Sequence, residues 1–174
     1  MSSLVTPTVI LGIMPDLTDD GHGDYDPPER LRRLPTWLTA EVARRGRRLV
    51  SASLAQDGAH RQHFTVLTSL SEQGPASQAE LGRRLSIDGS DMHALLAEFE
   101  RDGLVARVRD QQDRRRNVVT LTPAGQTALA RLDERIDAAQ DALLEPLTAA
   151  ERQELSRLLQ KLLQNRSRAR RLLA

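Results

Sequence analysis

The chain contains no cysteine, which excludes disulfides, thiolate metal sites and any sensor that works by oxidising its own thiol. That absence is compatible with a reducing compartment, and the cytoplasm is the expected location. Aromatic residues make up 2% of 174 residues, so a ligand that depends on stacking finds few partners. Lysine is almost missing. Lys161 is the only one among 25 basic residues, and the rest are arginines, whose planar fork suits phosphate or carboxylate. The apolar run from Val9 to Met14 is too short to span a bilayer, and no basic segment precedes it. Neither a membrane span nor a secretory signal is therefore expected. Three catalytic signatures are also missing: the phosphate loop G-x-x-x-x-G-K-S/T, the nucleophile elbow G-x-S-x-G and the zinc helix H-E-x-x-H. The expectation is a protein that is not an enzyme and needs neither metal nor cofactor.

A formal net charge of +1 would not by itself suggest a polyanionic partner, but it conceals an asymmetry. Residues 1–28 hold Asp16, Asp19, Asp20, Asp24 and Asp26 without a lysine or arginine, a charge of −5 that leaves +6 on the remainder. With Pro7, Pro15, Gly21, Gly23, Pro27 and Pro28 interspersed, this segment reads as an acidic, extended or disordered arm. Residues 29–174 form one body by length.

Helical spacing dominates that body. From Glu29 onward Leu34, Trp37, Leu38, Val42, Leu49 and Leu54 fall near one stripe, with Arg44, Arg45, Arg47 and Arg48 largely off it. Pro35 suits a first helical turn, and Gln56-Asp57-Gly58 ends the helix. Phe64, Val66, Leu67 and Leu70 mark a second helix, stopped by Gly74-Pro75. Ser77-x-x-Glu80 is a capping box opening a short third helix. A turn at Ile87-Asp88-Gly89 leads into a fourth, Ser90 to Asp102, closed by Gly103. Thr122-Pro123 starts a long helix with Leu129, Leu132, Ile136, Ala139, Leu143 and Leu147 on one face. Thr148-x-x-Glu151 caps the last, whose leucines at 155, 158, 159, 162 and 163 exceed what a small body must cover and suggest a homodimer. Arg166, Arg168, Arg170 and Arg171 follow as a basic tip.

Between these helices lie two strand signals, Val105 to Arg109 and Val118 to Leu121, joined by a turn rich in charge. The turn carries Asp113, Arg114, Arg115 and Arg116. Four adjacent charges, three of them arginines, are poorly explained by packing and well suited to phosphate or a narrow minor groove. Two short helices, the second amphipathic, followed by a basic hairpin make a winged helix-turn-helix arrangement. The fold class expected is mainly α with a small β-hairpin. Its DNA-binding part spans about residues 60–122, between dimerisation helices at about 30–56 and 123–174.

From about Leu34 to Leu163 the chain resembles the MarR family of winged-helix transcriptional regulators. The resemblance rests on Asp110-x-x-Asp113-Arg114-Arg115 followed by Val119-x-Leu121-Thr122-x-x-Gly125, and on Leu95-Leu96-x-x-Phe99-Glu100-x-Asp102-Gly103-Leu104-Val105 before it. It implies a homodimer on a pseudo-palindromic operator in double-stranded DNA, usually a repressor released by a small aromatic, phenolic or antibiotic-like molecule. By position Arg115 matches the wing arginine that enters the minor groove, and Asp113 the carboxylate that holds it. Ser90, Asp91, His93 and Ala94 match the start of the recognition helix. Asp91, His93 and Ala94 depart from the small hydroxyl residues or arginine common there, so the operator should differ from the common ones. An aspartate at that place is repelled by phosphate but can accept from a cytosine amino group.

The resemblance puts the effector pocket between the first two helices and the long fifth one. Candidates there are Trp37, Arg44, Arg45, His60, His63 and Phe64, with the two histidines lacking an evident acidic partner in the sequence. The competing interpretation is a winged-helix dimer that acts mainly as a protein-interaction module. The arginine-rich wing argues against it, because protein interfaces deplete charge at their cores.

Overall fold

Leu34 precedes a proline, and its backbone is held extended at φ −79°, ψ 123°. That restriction splits the helix expected from Glu29 into a single turn, α1 (Glu29–Arg32), and the 21-residue α2 (Pro35–Ala55). The computed structural model describes residues 27–109 and 117–164. Nearly all of the acidic arm, the wing tip with Asp113, Arg114, Arg115 and Arg116, and the basic tip lie outside the described residues.

Local chemistry then sets the element boundaries. Helix α3 (Arg61–Gln73) stops at Gly74, which takes φ +78°. Helix α4 (Gln78–Leu85) opens on the Ser77 capping box: the Glu80 N–H donates to Ser77 Oγ, and the Ser77 N–H donates to Glu80 Oε2 at 2.8 Å. Substituting Ser77 by alanine should cost about 1 kcal/mol. The expected reading is a lower urea midpoint with an unchanged slope. Ser86 turns the chain in the left-handed region at φ +53°, and α5 (Gly89–Arg101) follows, capped by Asp88. The helix begins and ends one residue earlier than its apolar spacing suggested.

Strands β1 (Val105–Arg109) and β2 (Asn117–Leu121) pair antiparallel, Val105 opposite Leu121 and Arg109 opposite Asn117. The hairpin is fastened at its base. Ala76, just before α4, exchanges both backbone hydrogen bonds with Val119, and Thr122 Oγ1 donates to the Gly103 carbonyl at 2.7 Å. Thr122 also caps α6 (Pro123–Leu144) by accepting from the Gly125 N–H. Thr148 and Glu151 form the second capping box before α7 (Ala149–Gln164).

Helices α2 and α6 make the most extensive packing between elements. Ser53 Oγ donates to the Arg135 carbonyl at 2.8 Å, and Arg135 reaches back to Asp57 and to Gln56 Oε1. The core lies beneath α3, α4 and α5, where Leu54, Val66, Leu67, Leu81, Met92 and Leu96 are fully enclosed. It extends to Val105 and Val119 of the hairpin and to Leu129 and Leu132 of α6. The apolar stripe of α2 divides: Leu54 is enclosed, while Leu34, Leu38 and Val42 face outward. Among the described residues no helix is long and apolar enough to cross a membrane.

Candidate functional site

Helix α5 is amphipathic, and its buried face fixes its orientation. Met92, Leu95, Leu96 and Phe99 enter the core, which leaves Ser90, Asp91, His93 and Ala94 exposed on the outer side of the first two turns. Asp88 accepts from the Ser90 N–H at 2.9 Å and from the Ser90 hydroxyl at 2.6 Å. The hydroxyl bond, then the backbone bond, hold the Asp88 carboxyl below its ordinary pKa. Part of the polar capacity of Ser90 is therefore spent on the cap. Gln78, at the start of α4, donates to the Gly89 carbonyl and ties the two helix starts together. Arg83 lies with Gln78, Ile87 and Asp88 along a shallow groove beside them.

The hairpin is set against the same helix by an ion pair the sequence did not reveal. Arg107 Nε on β1 donates to Glu100 Oε2 on α5 at 3.0 Å. Strands β1 and β2 stay in register as far as Arg109 and Asn117, the ends between which the sequence places Asp113, Arg114, Arg115 and Arg116, outside the described residues.

Two apolar faces find no cover among the described residues. One is Leu34, which precedes α2, with Leu38 and Val42 on it. The other is Leu158, Leu159, Leu162 and Leu163 on α7, the last two 69% and 71% exposed. No residue of α7 is buried.

A cavity of about 330 Å³ opens between the α2–α3 turn, α3, the end of α5 and α6. Leu67, Phe99, Leu104, Ala128 and Leu132 supply its apolar wall; Asp57, His63, Glu98, Asp102 and Arg131 supply its polar one. His63 is 7% exposed. Its Nδ1 accepts from the His60 N–H at 3.0 Å, which leaves the ring proton on Nε2. Nε2 is buried without a hydrogen bond, with the Glu98 carboxylate 3.5 Å away. The expectation that the histidines lack an acidic partner is thus corrected: Glu98 is that partner. His60 stacks on His63 with ring centroids 3.7 Å apart. Burial foremost, then the neighbouring His63, lowers the His60 pKa, against an opposing pull from Glu98.

The other sequence candidates lie elsewhere. Trp37 is half-buried on α2, and Phe64 packs half-buried against the core. Arg44 and Arg45 line a separate groove with Glu41, Val42 and Arg48, and Arg44 pairs with Glu41 at 2.7 Å. Among the described residues no cluster of three or more metal-ligating side chains occurs. Asp57, Glu98, Asp102 and Arg131 were not among the sequence candidates. Glu98 is 35 positions beyond His63, and only the crossing of α3 and α5 brings them together.

The sequence model of the MarR family matches residues 57–116. The chain is 34% identical over 113 residues to the HTH-type transcriptional repressor Rv2887 of Mycobacterium tuberculosis, covering 65% of this chain and 81% of that one. The solved complex of that MarR family protein with DNA superposes with a TM-score of 0.66 at 31% identity, over 79% of this chain and 98% of the other. Its complex with salicylic acid gives a TM-score of 0.61 at 32% identity, over 79% and 97% of the two chains.

Proposed function

The chain belongs to the MarR family of DNA-binding transcriptional regulators, and from that premise we propose that it acts as a homodimeric, sequence-specific repressor released by a small ligand. The single observation that carries the dimer is the uncovered leucine face of α7, continued in kind by Leu34, Leu38 and Val42 at the start of α2. A second copy covers both faces by a two-fold axis, and a two-fold dimer calls for a pseudo-palindromic operator. Each subunit then offers Ser90, Asp91, His93 and Ala94 to a major groove. The wing residues Asp113, Arg114, Arg115 and Arg116 serve the adjacent minor groove.

The cavity supports the ligand half of the proposal. Its lining joins the end of α5 to α3, α6 and the α2–α3 turn. A molecule that fits better in one placement of α5 shifts the protein toward it and away from DNA. Its volume suits a small ring compound, the class to which the salicylic acid held by the mycobacterial relative belongs.

Joint replacement Leu162→Glu and Leu163→Glu tests the assembly. The expected outcome is a monomer by light scattering, with helical content retained and operator affinity reduced about a hundredfold or more, since the second half-site no longer binds as part of the same molecule. A variant that stays dimeric with unaltered affinity would sink the dimer assignment.

A further inference from the structure

We infer that the His63–Glu98 edge of the cavity selects a neutral donor–acceptor group, a carboxamide or lactam on a small ring, over the corresponding carboxylate. The inference rests on the ligand-site reading above. His63 is almost wholly enclosed, and its Nε2–H is a buried donor with no hydrogen bond. A buried donor left unmade is costly, so a ligand that supplies an acceptor there gains from it. Glu98 Oε2 stands 3.5 Å from that nitrogen, and the Glu98 side chain is 41% exposed.

The charges around the cavity decide what the acceptor can be. Asp57 is engaged by Arg135, and Asp102 by Arg101 at 3.1 Å. Glu98 has no arginine of its own among the described residues; it faces His63 and, through its charge, His60. One edge thus sets an enclosed donor directly beside a part-exposed acceptor. An amide matches both at once, its carbonyl accepting from Nε2–H and its N–H donating to Glu98. A carboxylate offers acceptors only and brings a second negative charge against Glu98 in a partly desolvated site. Arg131, exposed on α6, is the one arginine or lysine lining the cavity among the described residues, and it could draw an acid instead.

Salicylamide and salicylate differ in this group alone and make a matched pair of probes. Calorimetric titration of the full chain should show the amide binding about tenfold more tightly or better, the scale on which a site built to hydrogen-bond one group rejects its analogue. In Glu98→Gln the carboxylate gains a donor and loses its repulsion, so the preference should shrink to within about twofold. Thermal melts of both proteins confirm equal folding. Equal affinity for the two probes in the native chain would overturn the inference while leaving the ligand cavity standing. So would a carboxylate preference that Arg131→Gln abolishes. If neither probe binds, both the inference and the cavity reading fall.

Discussion

Gly125→Ala should lower the melting temperature by on the order of 6–12 °C, the consequence of roughly 3 kcal/mol of overpacking. Gly125 is the third residue of α6 and is buried where the hairpin leaves the body. A Cβ there would overlap the Leu104 carbonyl oxygen and come within 2.7 Å of Leu121 Cδ1. The first of these is backbone, and that backbone is not free to move. The Leu104 carbonyl also accepts from the Thr122 N–H at 3.0 Å and from Thr122 Oγ1 at 3.0 Å. Relief therefore requires β1 and the start of α6 to separate, which undoes the Thr122 cap and the base of the hairpin together. DNA affinity should fall along with stability, because the hairpin is placed on α5 from this base. A Gly125→Ala protein with the native melting curve would show that the junction is looser than these contacts imply.

The second large effect belongs to the wing. Arg115→Ala removes one guanidinium from each half of the proposed dimer. At about 1 kcal/mol or more for each contact, operator affinity should fall on the order of 10- to 100-fold. The slope of log affinity against log salt should flatten by about two, one counterion for each wing. Because Asp113 is assigned the task of orienting Arg115, Asp113→Asn should weaken binding by less, leaving the salt slope nearly intact. Equal losses from Arg114→Ala, Arg115→Ala and Arg116→Ala would point instead to a diffuse positive wing with no inserted side chain.

What could be read from the sequence was what short-range chemistry determines. The Ser77–Glu80 and Thr148–Glu151 boxes, the Thr122-Pro123 start and the positive φ of Gly103 all depend on residues within three or four positions of one another. The hairpin was legible for the same reason. The Ala76–Val119 bridge was not, because it joins a connecting segment to a strand more than 40 positions away. Apolar spacing identified the stripe of α2 but could not tell which part this chain covers: Leu54 meets the core, and Leu38 does not. The candidate ligand site shows the limit most clearly. Of the six residues suggested by position, only His63 lines the cavity. Its partner Glu98 lies on a helix whose polar face resembles any solvated one in sequence. What marks Glu98 is its distance to a buried imidazole, a property of the packed chain alone.

The central claim is that the helix-turn-helix and its basic wing bind a specific duplex. Fluorescence anisotropy on duplex from upstream of the protein's own gene tests it most directly, with random duplex as control and a salt series for each. If the dimer neutralises roughly 6–10 phosphates, log affinity should fall against log salt with a slope of about −5 to −9 on the specific duplex. Binding there should be far tighter than on the random duplex and should collapse in Arg115→Ala. Equal binding to both duplexes, unmoved by the loss of Arg115, would contradict the account.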